Sequence, residues 1–371
     1  MEHELISGGT QKIAFVIFAR NEAAVIGNTV QLAKQAQGGN GSVFVVADRC
    51  IDDTALLASR AGARVFVRSG VSPGGKGSAF VWFVKAYRSL ICEYSRLVIL
   101  DADSRLDPYF IPKLAPYLLE RHDVLQCYIE PIQYESSPVC TLMALSEIVE
   151  QSVYNKIRSI FGASVRLRGT GMIFSPQVLL TVCENLQTEV EDIVLSLLLA
   201  DRDIRIRQLD TVRVYDPKPA EAAAATRQRA RWFRGQWAAL WLYRCEVGKI
   251  AGKGLRGWIL ISSLFLKPRW LMMVIKVGLA WFSLQWPAFS VLWGGLFLID
   301  CLLILFGALQ LPERNCFIKA LLYLPEFLWM WLRGILLSFR RLPWLSTGRL
   351  TKDEEAQIIR PFKLVEMDES G

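Results

Sequence analysis

Histidine is nearly absent from this sequence, which contains only His3 and His122 among 371 residues. With so few imidazoles, a zinc site that depends on His ligands is nearly excluded. The eight cysteines are scattered, and no two have the C-x-x-C spacing of a metal or redox pair. Several, such as Cys92, Cys127 and Cys301, lie in apolar runs, which predicts reduced, packed thiols in a cytoplasmic domain.

Two common sequence signals are missing as well. The stretch from Met1 to Gln11 is polar, so we predict neither a signal peptide nor a leading membrane anchor. The Gly-Gly-Lys-Gly stretch around Lys76 offers backbone amides and one cation to a phosphate, or is simply a solvated loop. It is not a P-loop, because Gly77 stands where that motif requires Ser or Thr.

Apolar residues make up 52% of the chain and include 12 Trp, but most of the excess falls after about residue 250. We predict a cytoplasmic α/β domain at 1–245, interfacial and transmembrane helices at 246–343, and a cytoplasmic tail at 344–371. The net charge of +8 is concentrated in arginine clusters that flank the apolar block. This placement favours anionic lipid headgroups at the inner (plasma) membrane, and nucleic acid is not predicted as a partner.

Within the apolar block we predict two spans, at about 270–285 and 288–310, because ~20 residues cross a bilayer. Asp300 inside the second span is costly unless it is paired, and Lys276 in the first span is a candidate partner.

Two flanking segments are predicted to lie in the membrane interface. The run from Trp258 to Leu266 is too short to span. Residues 316–340 carry a charge at every seventh position, which indicates an amphipathic helix, kinked at Pro325.

The first hundred residues alternate apolar strands with helices, which predicts a parallel sheet that binds a nucleotide-type ligand at its carboxyl edge. The predicted strands cover residues 13–18, 42–46, 64–67 and 97–100. The helices cover residues 23–37, a segment capped by Asp52 or Asp53, and residues 79–92. Further strands at 124–129, 171–174 and 205–209, a long helix at 138–161 and a helix at 193–200 follow.

Acidic residues follow three of these strands. Asp101 and Asp103 end a buried strand, where two fixed carboxylates suit a hard divalent cation that also holds phosphates. Glu22 and Asp48 follow the first and second strands. The alternative interpretation of each acid is a solvated turn or a helix cap.

Two further motifs have a plain structural explanation beside a functional one. Thr170 lies between two glycines, in a tight turn or a close backbone approach to a ligand. Glu191 and Asp192 open an apolar helix, where the helix dipole favours acids. The functional interpretation is a general base at the mouth of the site.

A basic and aromatic segment closes the α/β domain. On a helix, Gln228, Arg231 and Trp232 share one face, because they stand at i, i+3 and i+4. Arginine suits a pyrophosphate leaving group, and tryptophan suits stacking on a sugar. An interfacial helix with Trp at headgroup level is the alternative.

These motifs, in this order and followed by a membrane block, resemble membrane-bound family 2 glycosyltransferases such as cellulose, hyaluronan and chitin-oligosaccharide synthases. The resemblance covers about residues 12–245 and implies a GT-A fold. Beyond it, Trp344-x-x-Thr347-x-Arg349 looks like the gating-loop motif of those synthases.

The resemblance implies a role for each matching position. Donor binding falls to Glu22, Asp48, Lys76, Asp101, Gln228 and Arg231. Mg²⁺ or Mn²⁺ would be bound by Asp103 with Asp101. The catalytic pair would be Glu191 and Asp192, with Asp192 as the base, and acceptor contacts would come from Trp232 and Thr170.

The expected function is inverting transfer of a sugar from a nucleotide sugar, a UDP-sugar first of all, to a lipid-linked or growing saccharide. It would serve exopolysaccharide or cell-envelope glycan synthesis. Two spans make a poor channel, so a processive, secreting synthase would require a homo-oligomer or an export partner. A sugar-phosphate nucleotidyltransferase is the alternative from another class, and it would release pyrophosphate instead of nucleoside diphosphate.

Overall fold

The fold is described from a computed structural model of the chain. The description covers residues 12–38, 41–70, 75–120, 122–184, 186, 190–219, 221–264, 268–311, 313 and 315–339. The gating-like motif at Trp344, Thr347 and Arg349 lies outside these residues, as do Arg340 and the whole predicted tail.

A mixed sheet organises the N-terminal two thirds of the chain. Its strands are β1 Ile13–Ala19, β2 Gly41–Asp48, β3 Arg64–Arg68, β4 Arg96–Asp101, β5 Arg105–Leu106, β6 Val124–Ile132, β7 Met172–Phe174 and β8 Ile206–Pro217. In the described residues they are ordered β3-β2-β1-β4-β7-β6-β8-β5. The four strands predicted in the first hundred residues are parallel neighbours, as expected. Beyond them β7 runs antiparallel to both β4 and β6, which periodicity alone does not reveal.

Helices cover both faces of the sheet and continue into the apolar region. Those of the sheet domain are α1 Ile26–Gln37, α2 Thr54–Arg60, α3 Lys76–Ala86, α4 Arg88–Ile91, α5 Phe110–Leu118, α6 Pro138–Val149, α7 Asn155–Ile160, α8 Pro176–Cys183, α9 Glu191–Asp201 and α10 Ala222–Leu242. Those that follow are α11 Arg244–Gly252, α12 Leu255–Leu264, α13 Arg269–Phe282, α14 Pro287–Leu309, α15 Asn315–Leu322 and α16 Leu324–Ser338.

Strand β1 shows why the sheet is buried on both sides. All seven of its residues are apolar and buried, the pattern of a central parallel strand. Phe15 and Ile17 pack with the core beneath α1 and α5, whereas Val16 and Phe18 pack with the core beneath α3 and α9. The carboxyl ends of the parallel strands are therefore held at one edge between two packed helical layers.

The boundaries of several helices differ from the sequence prediction. Helix 138–161 is interrupted by a π-helical turn at Glu150–Tyr154, and helix 79–92 divides at Tyr87 into α3 and α4. Lys76, predicted in a loop, is the first residue of α3. Asp53 occupies the N-cap position of α2 without a side-chain cap bond, and Asp52 accepts the Thr54 N–H instead.

A third apolar cluster joins the sheet domain to the later helices. It combines residues of α6 and α10 with residues of α13, α14 and α16. The Trp270 indole donates to the Leu142 carbonyl at 3.2 Å, and Phe233 and Trp331 meet edge to face. The sheet domain and the apolar helices therefore share one apolar cluster.

One helix of the described chain, α14, is long and apolar enough to cross a membrane, with 23 residues and a mean hydropathy of 2.3. The count reaches three if the bent pairs α12 with α13 and α15 with α16 are each one span. α13 has 14 residues, below the ~20 that cross a bilayer, so the two-span topology stays a prediction. α15 and α16 meet at 63°, just before Pro325.

The predicted ion pair inside the apolar block is confirmed. Lys276 Nζ on α13 lies 2.5 Å from Asp300 Oδ2 on α14, and the Asp300 side chain is buried. Each charge therefore has the partner that an apolar surrounding requires.

Candidate active site

A cavity of about 1250 Å³ opens at the carboxyl edge of the sheet, between α9, α10 and the helices of the apolar region. Ligand pockets typically enclose roughly 300–1,000 Å³, so it has room for two substrates. Its wall contains every predicted site residue: Glu22, Asp48, Lys76, Asp101, Asp103, Thr170, Glu191, Asp192, Gln228, Arg231 and Trp232.

The register of the sheet brings the strand-end acids together. Phe18 of β1 is opposite Asp101 of β4, and Ala19 is opposite Ala47 of β2, so these strands end at one level. After β1 the chain turns through Asn21, whose φ is 55° and whose side chain accepts the Ile51 N–H. The acids of three separate strands therefore reach one cavity wall.

Glu22 and Asp48 are both fixed by local contacts. The Glu22 N–H donates to Thr54 Oγ1 at 2.8 Å, and its carbonyl accepts from the start of α1. The buried Asp48 carboxylate accepts from Arg68 at 2.7 Å and from Arg49 at 3.2 Å. Asp48 is thus held in place by two arginines in the wall of the cavity.

Lys76 connects three parts of the site. Its Nζ donates to Asp101 Oδ1 at 2.6 Å and to the Gly169 carbonyl at 2.5 Å, and lies 3.4 Å from Glu191 Oε1. Burial alone would lower the pKa of Lys76, but the carboxylates of Asp101, Glu191 and Asp192 raise it above its ordinary value. The side chain is therefore a charged ammonium in the cavity wall.

Asp103 lies among other carboxyl groups. Burial, followed by the charges of Asp216, Asp101 and Glu22, raises the pKa of Asp103 to about 8. A divalent cation would relieve this repulsion, and carboxylate oxygens are the ligands that Mg²⁺ and Mn²⁺ prefer.

Within the described residues no group of three or more His, Cys, Asp or Glu side chains is arranged to hold a metal. Mg²⁺ is commonly held by one or two carboxylates, with water and substrate phosphates completing the shell. Asp101 and Asp103 fit that mode of binding.

The two acids at the start of α9 differ in their surroundings. Glu191 is buried against Lys76, and burial, opposed by Lys76 and reinforced by Asp192 and Asp101, raises its pKa to about 7. Asp192 accepts a hydrogen bond from the Ile193 N–H at 2.9 Å. Burial raises the pKa of Asp192, and Arg166 is the first of several groups that oppose this rise. Asp192 is the more accessible of the two carboxyl groups.

Helix α10 contributes to the cavity wall and also packs against the apolar helices. Gln228, Arg231 and Trp232 line the cavity, as their spacing predicts. Arg229 is buried on the side of α16, with its guanidinium 4.4 Å from the centre of the Trp331 ring. Gly334 of α16 allows this approach, because an added Cβ would lie 3.2 Å from Arg229 Cβ.

Thr170 supports the site from behind. Its hydroxyl is 2.7 Å from Ser104 Oγ and accepts the Asp101 N–H at 3.2 Å, while its carbonyl accepts from Gln126. The residue is 3% exposed, so these bonds fix the end of β4. The predicted acceptor contact at Thr170 stays a prediction.

Several charged residues of the cavity were missed by the sequence reasoning. They are Glu147, Glu150, Arg158, Arg166, Arg168, Asp216, Lys218 and Arg269. Arg166-x-Arg168 immediately before the Gly-Thr-Gly turn was the available signal, since it places two arginines beside a motif already singled out. The others come from α6 and the turn after it, from α7, from the end of β8 and from α13, and only the tertiary fold unites them.

Comparison with known proteins adds a family and a fold. The family model described as "Glycosyltransferase like family 2" matches residues 10–235, more than half of the chain. No curated protein matches the sequence.

Among solved structures, a mannosyltransferase from Pyrobaculum calidifontis in complex with GDP-Man and Mn²⁺ is 14% identical, with a TM-score of 0.51. The similarity covers 89% of this chain and 87% of that one, so the shared fold includes the helices after the sheet domain. Glucosyl-3-phosphoglycerate synthase from Mycobacterium tuberculosis, in complex with Mn²⁺, UDP and phosphoglyceric acid, is 21% identical. Its TM-score is 0.38, over 55% of this chain and 70% of that one. A mycobacterial protein is also 21% identical, with a TM-score of 0.38. The similarity covers 57% of this chain and 66% of that one, so this chain spans just under two thirds of that protein.

Proposed function

Since the chain belongs to the glycosyltransferase-like family 2, we propose that it transfers a sugar from a nucleotide sugar to a lipid-linked or growing saccharide at the cytoplasmic face of the membrane. One observation carries this proposal: acids, cations and an aromatic ring from separate segments line a single cavity. A UDP-sugar is the first donor to test, and exopolysaccharide or envelope glycan synthesis at the inner membrane is the matching role.

The donor side of the cavity is the edge of the sheet. Asp48 and Glu22 offer acceptors to the base and ribose, and Lys76 and Arg231 offer positive charge to the diphosphate. Asp101 and Asp103 would hold Mg²⁺ or Mn²⁺, which when bound offsets the negative charge of the diphosphate.

The chemical step is a single displacement. The acceptor hydroxyl attacks the anomeric carbon as the bond to the diphosphate oxygen breaks, and its proton passes to the Asp192 carboxylate. Arg231 stabilises the charge that develops on the leaving nucleoside diphosphate, with Gln228 as a neutral donor beside it. The anomeric configuration is therefore inverted.

The acceptor side is indicated by the far wall of the cavity. Met272 of α13 and Phe327 and Trp331 of α16 line it. A cavity that passes from a charged sheet edge to apolar helices suits an acceptor with a polar head and a lipid tail.

The test is nucleoside diphosphate release by the detergent-purified full chain, over a panel of UDP-sugars with Mn²⁺ or Mg²⁺. The expected result is metal-dependent UDP release from one donor, abolished by EDTA. Pyrophosphate release from a sugar phosphate and UTP would instead establish a nucleotidyltransferase and overturn the proposal.

A further inference from the structure

Four arginines from separate segments of the chain line the same cavity. We call Arg158, Arg166, Arg168 and Arg269 the arginine cluster. Arg158 is on α7, Arg166 and Arg168 precede β7, and Arg269 is the first residue of α13. All four line the cavity.

The arginine cluster has more positive charge than its acidic partners neutralise. Glu150 lies 2.7 Å from Arg158 and 3.5 Å from Arg269, and Glu147 pairs with Arg168. Burial would raise the pKa of Glu150, but Arg158, Arg166 and Arg168 lower it to about 2, so it is ionised. Asp192 is also within electrostatic reach of Arg166, so four guanidiniums against three carboxylates leave one positive charge in excess.

Three of the four arginines have hydrogen-bond donors without acceptors. Among the described residues, Arg166 Nε, Arg168 Nη1 and Arg269 Nε are buried and unbonded. The Arg168 side chain is only 9% exposed, so bulk water does not supply the missing hydrogen-bond acceptor. A buried donor left unpaired costs about 1–3 kcal/mol, which a bound anion would recover.

The position of the arginine cluster indicates which substrate would carry the bound anion. Arg166 acts electrostatically on Asp192, the proposed base, and Arg269 begins the helix that leads into the apolar region. An anion here would lie in the same cavity as Asp192 and the apolar side chains of Met272 and Phe327.

We propose that the arginine cluster binds a phosphate group of the acceptor, set apart from the hydroxyl that attacks, as in a sugar joined to a lipid through phosphate or diphosphate. This inference rests on the proposed glycosyl transfer and names its acceptor class. Planar guanidiniums bind phosphate through paired hydrogen bonds, which matches the unbonded donors.

The diphosphate of the donor is a poorer occupant of this cluster. Lys76 bonds Asp101 and the Gly169 carbonyl and faces Glu191 on the donor side, and Asp192 lies within the electrostatic reach of both Lys76 and Arg166. Asp192 is therefore within reach of one cation that pairs with the strand-end acids and of another that has no such partner in the described part of the chain.

The experiment is isothermal calorimetry on the full chain in detergent, with two independent ligands. UDP with Mn²⁺ probes the donor site, and farnesyl phosphate, compared with farnesol and inorganic phosphate, probes the arginine cluster. Arg166→Gln is expected to weaken farnesyl phosphate binding by about 10- to 100-fold, the loss of charge-assisted hydrogen bonds, and to leave UDP binding unchanged.

Arg60→Gln is the matched control, because Arg60 is exposed on α2 and remote from the cavity wall. Arg166→Lys should bind with intermediate affinity. Arg166 has no ion-pair partner among the described residues, so its removal from an over-charged cluster should not lower the melting temperature.

The outcomes separate the possibilities. Arg166-dependent binding of inorganic phosphate as tight as that of farnesyl phosphate would support the phosphate chemistry and indicate a soluble acceptor. Equal binding of farnesyl phosphate and farnesol, or equal loss of UDP binding in Arg166→Gln, would overturn the inference. Failure of the wild type to bind UDP with Mn²⁺ would instead count against the proposed function, because the prenyl ligands are measured separately.

Discussion

Replacing Lys276 with methionine should destabilise the junction of α13 and α14. Methionine preserves the length and packing of the side chain but leaves the carboxylate of Asp300 without its partner at 2.5 Å. Asp300 is buried, with 7% of its side chain exposed, and it lies ~20 Å along a helix of 23 residues, at 1.5 Å per residue.

The size of the effect follows from this placement. Breaking a buried ion pair by removing one partner costs about 3–5 kcal/mol. An uncompensated Asp near the centre of a spanning helix costs roughly 2.5–3.5 kcal/mol. Both estimates indicate that Lys276→Met lowers the free energy of unfolding by about 3 kcal/mol.

The double variant Lys276→Met with Asp300→Leu should recover most of that stability, because two apolar side chains replace the pair. The assay is thermal unfolding in one detergent at one scan rate, followed by circular dichroism. If the double variant has the same low melting temperature as Lys276→Met, an unpaired Asp300 is not the cause of the destabilisation, and the reasoning is refuted.

Three further predictions concern the cavity. Because burial raises the pKa of Asp192, the base protonates at a higher pH than an ordinary Asp, so the transfer rate should fall as the pH drops through that raised pKa. Gly235→Ala places a methyl group 2.3 Å from a Val190 methyl, next to the start of α9. It should cost about 1–3 kcal/mol of stability and slow transfer. Asp103→Asn should raise the Mn²⁺ concentration needed for half-maximal UDP binding, measured by calorimetric titration, without unfolding the protein.

Each of these three predictions has its own control. The acidic limb of the pH profile should be independent of the buffer, and a rate that is flat down to the ordinary Asp range would contradict a raised pKa. Gly248→Ala meets nothing within 4 Å, so it should be neutral or stabilising; equal effects of both glycine changes would refute the packing explanation. Unaltered Mn²⁺ dependence in Asp103→Asn would remove that carboxylate from the metal site.

The parallel half of the sheet could be predicted because its signal is local. Apolar runs such as Ile13–Ala19 encode a buried strand directly, and the acids just after three of the four runs follow them to the sheet edge. The helical spacing of Gln228, Arg231 and Trp232 likewise determines that one face holds all three.

The other features depend on contacts between distant segments. β7 is three residues long, and its antiparallel place between β4 and β6 is set by pairing. The arginine cluster joins Arg158 to Arg269 across more than a hundred residues, so no window of sequence contains it. The glycines on either side of Thr170 mark it in the sequence, but its bond to the Asp101 N–H is visible only in the fold.

The central claim is that Asp192 is the base of a glycosyl transfer, and Asp192→Asn tests it most directly. Asparagine keeps the shape of the side chain but cannot take the proton. The account predicts that the variant binds UDP with Mn²⁺ as tightly as the wild type does while its rate of UDP release with donor and acceptor falls by about 10²–10⁴-fold. A variant that binds UDP normally and still transfers sugar at the wild-type rate would contradict it.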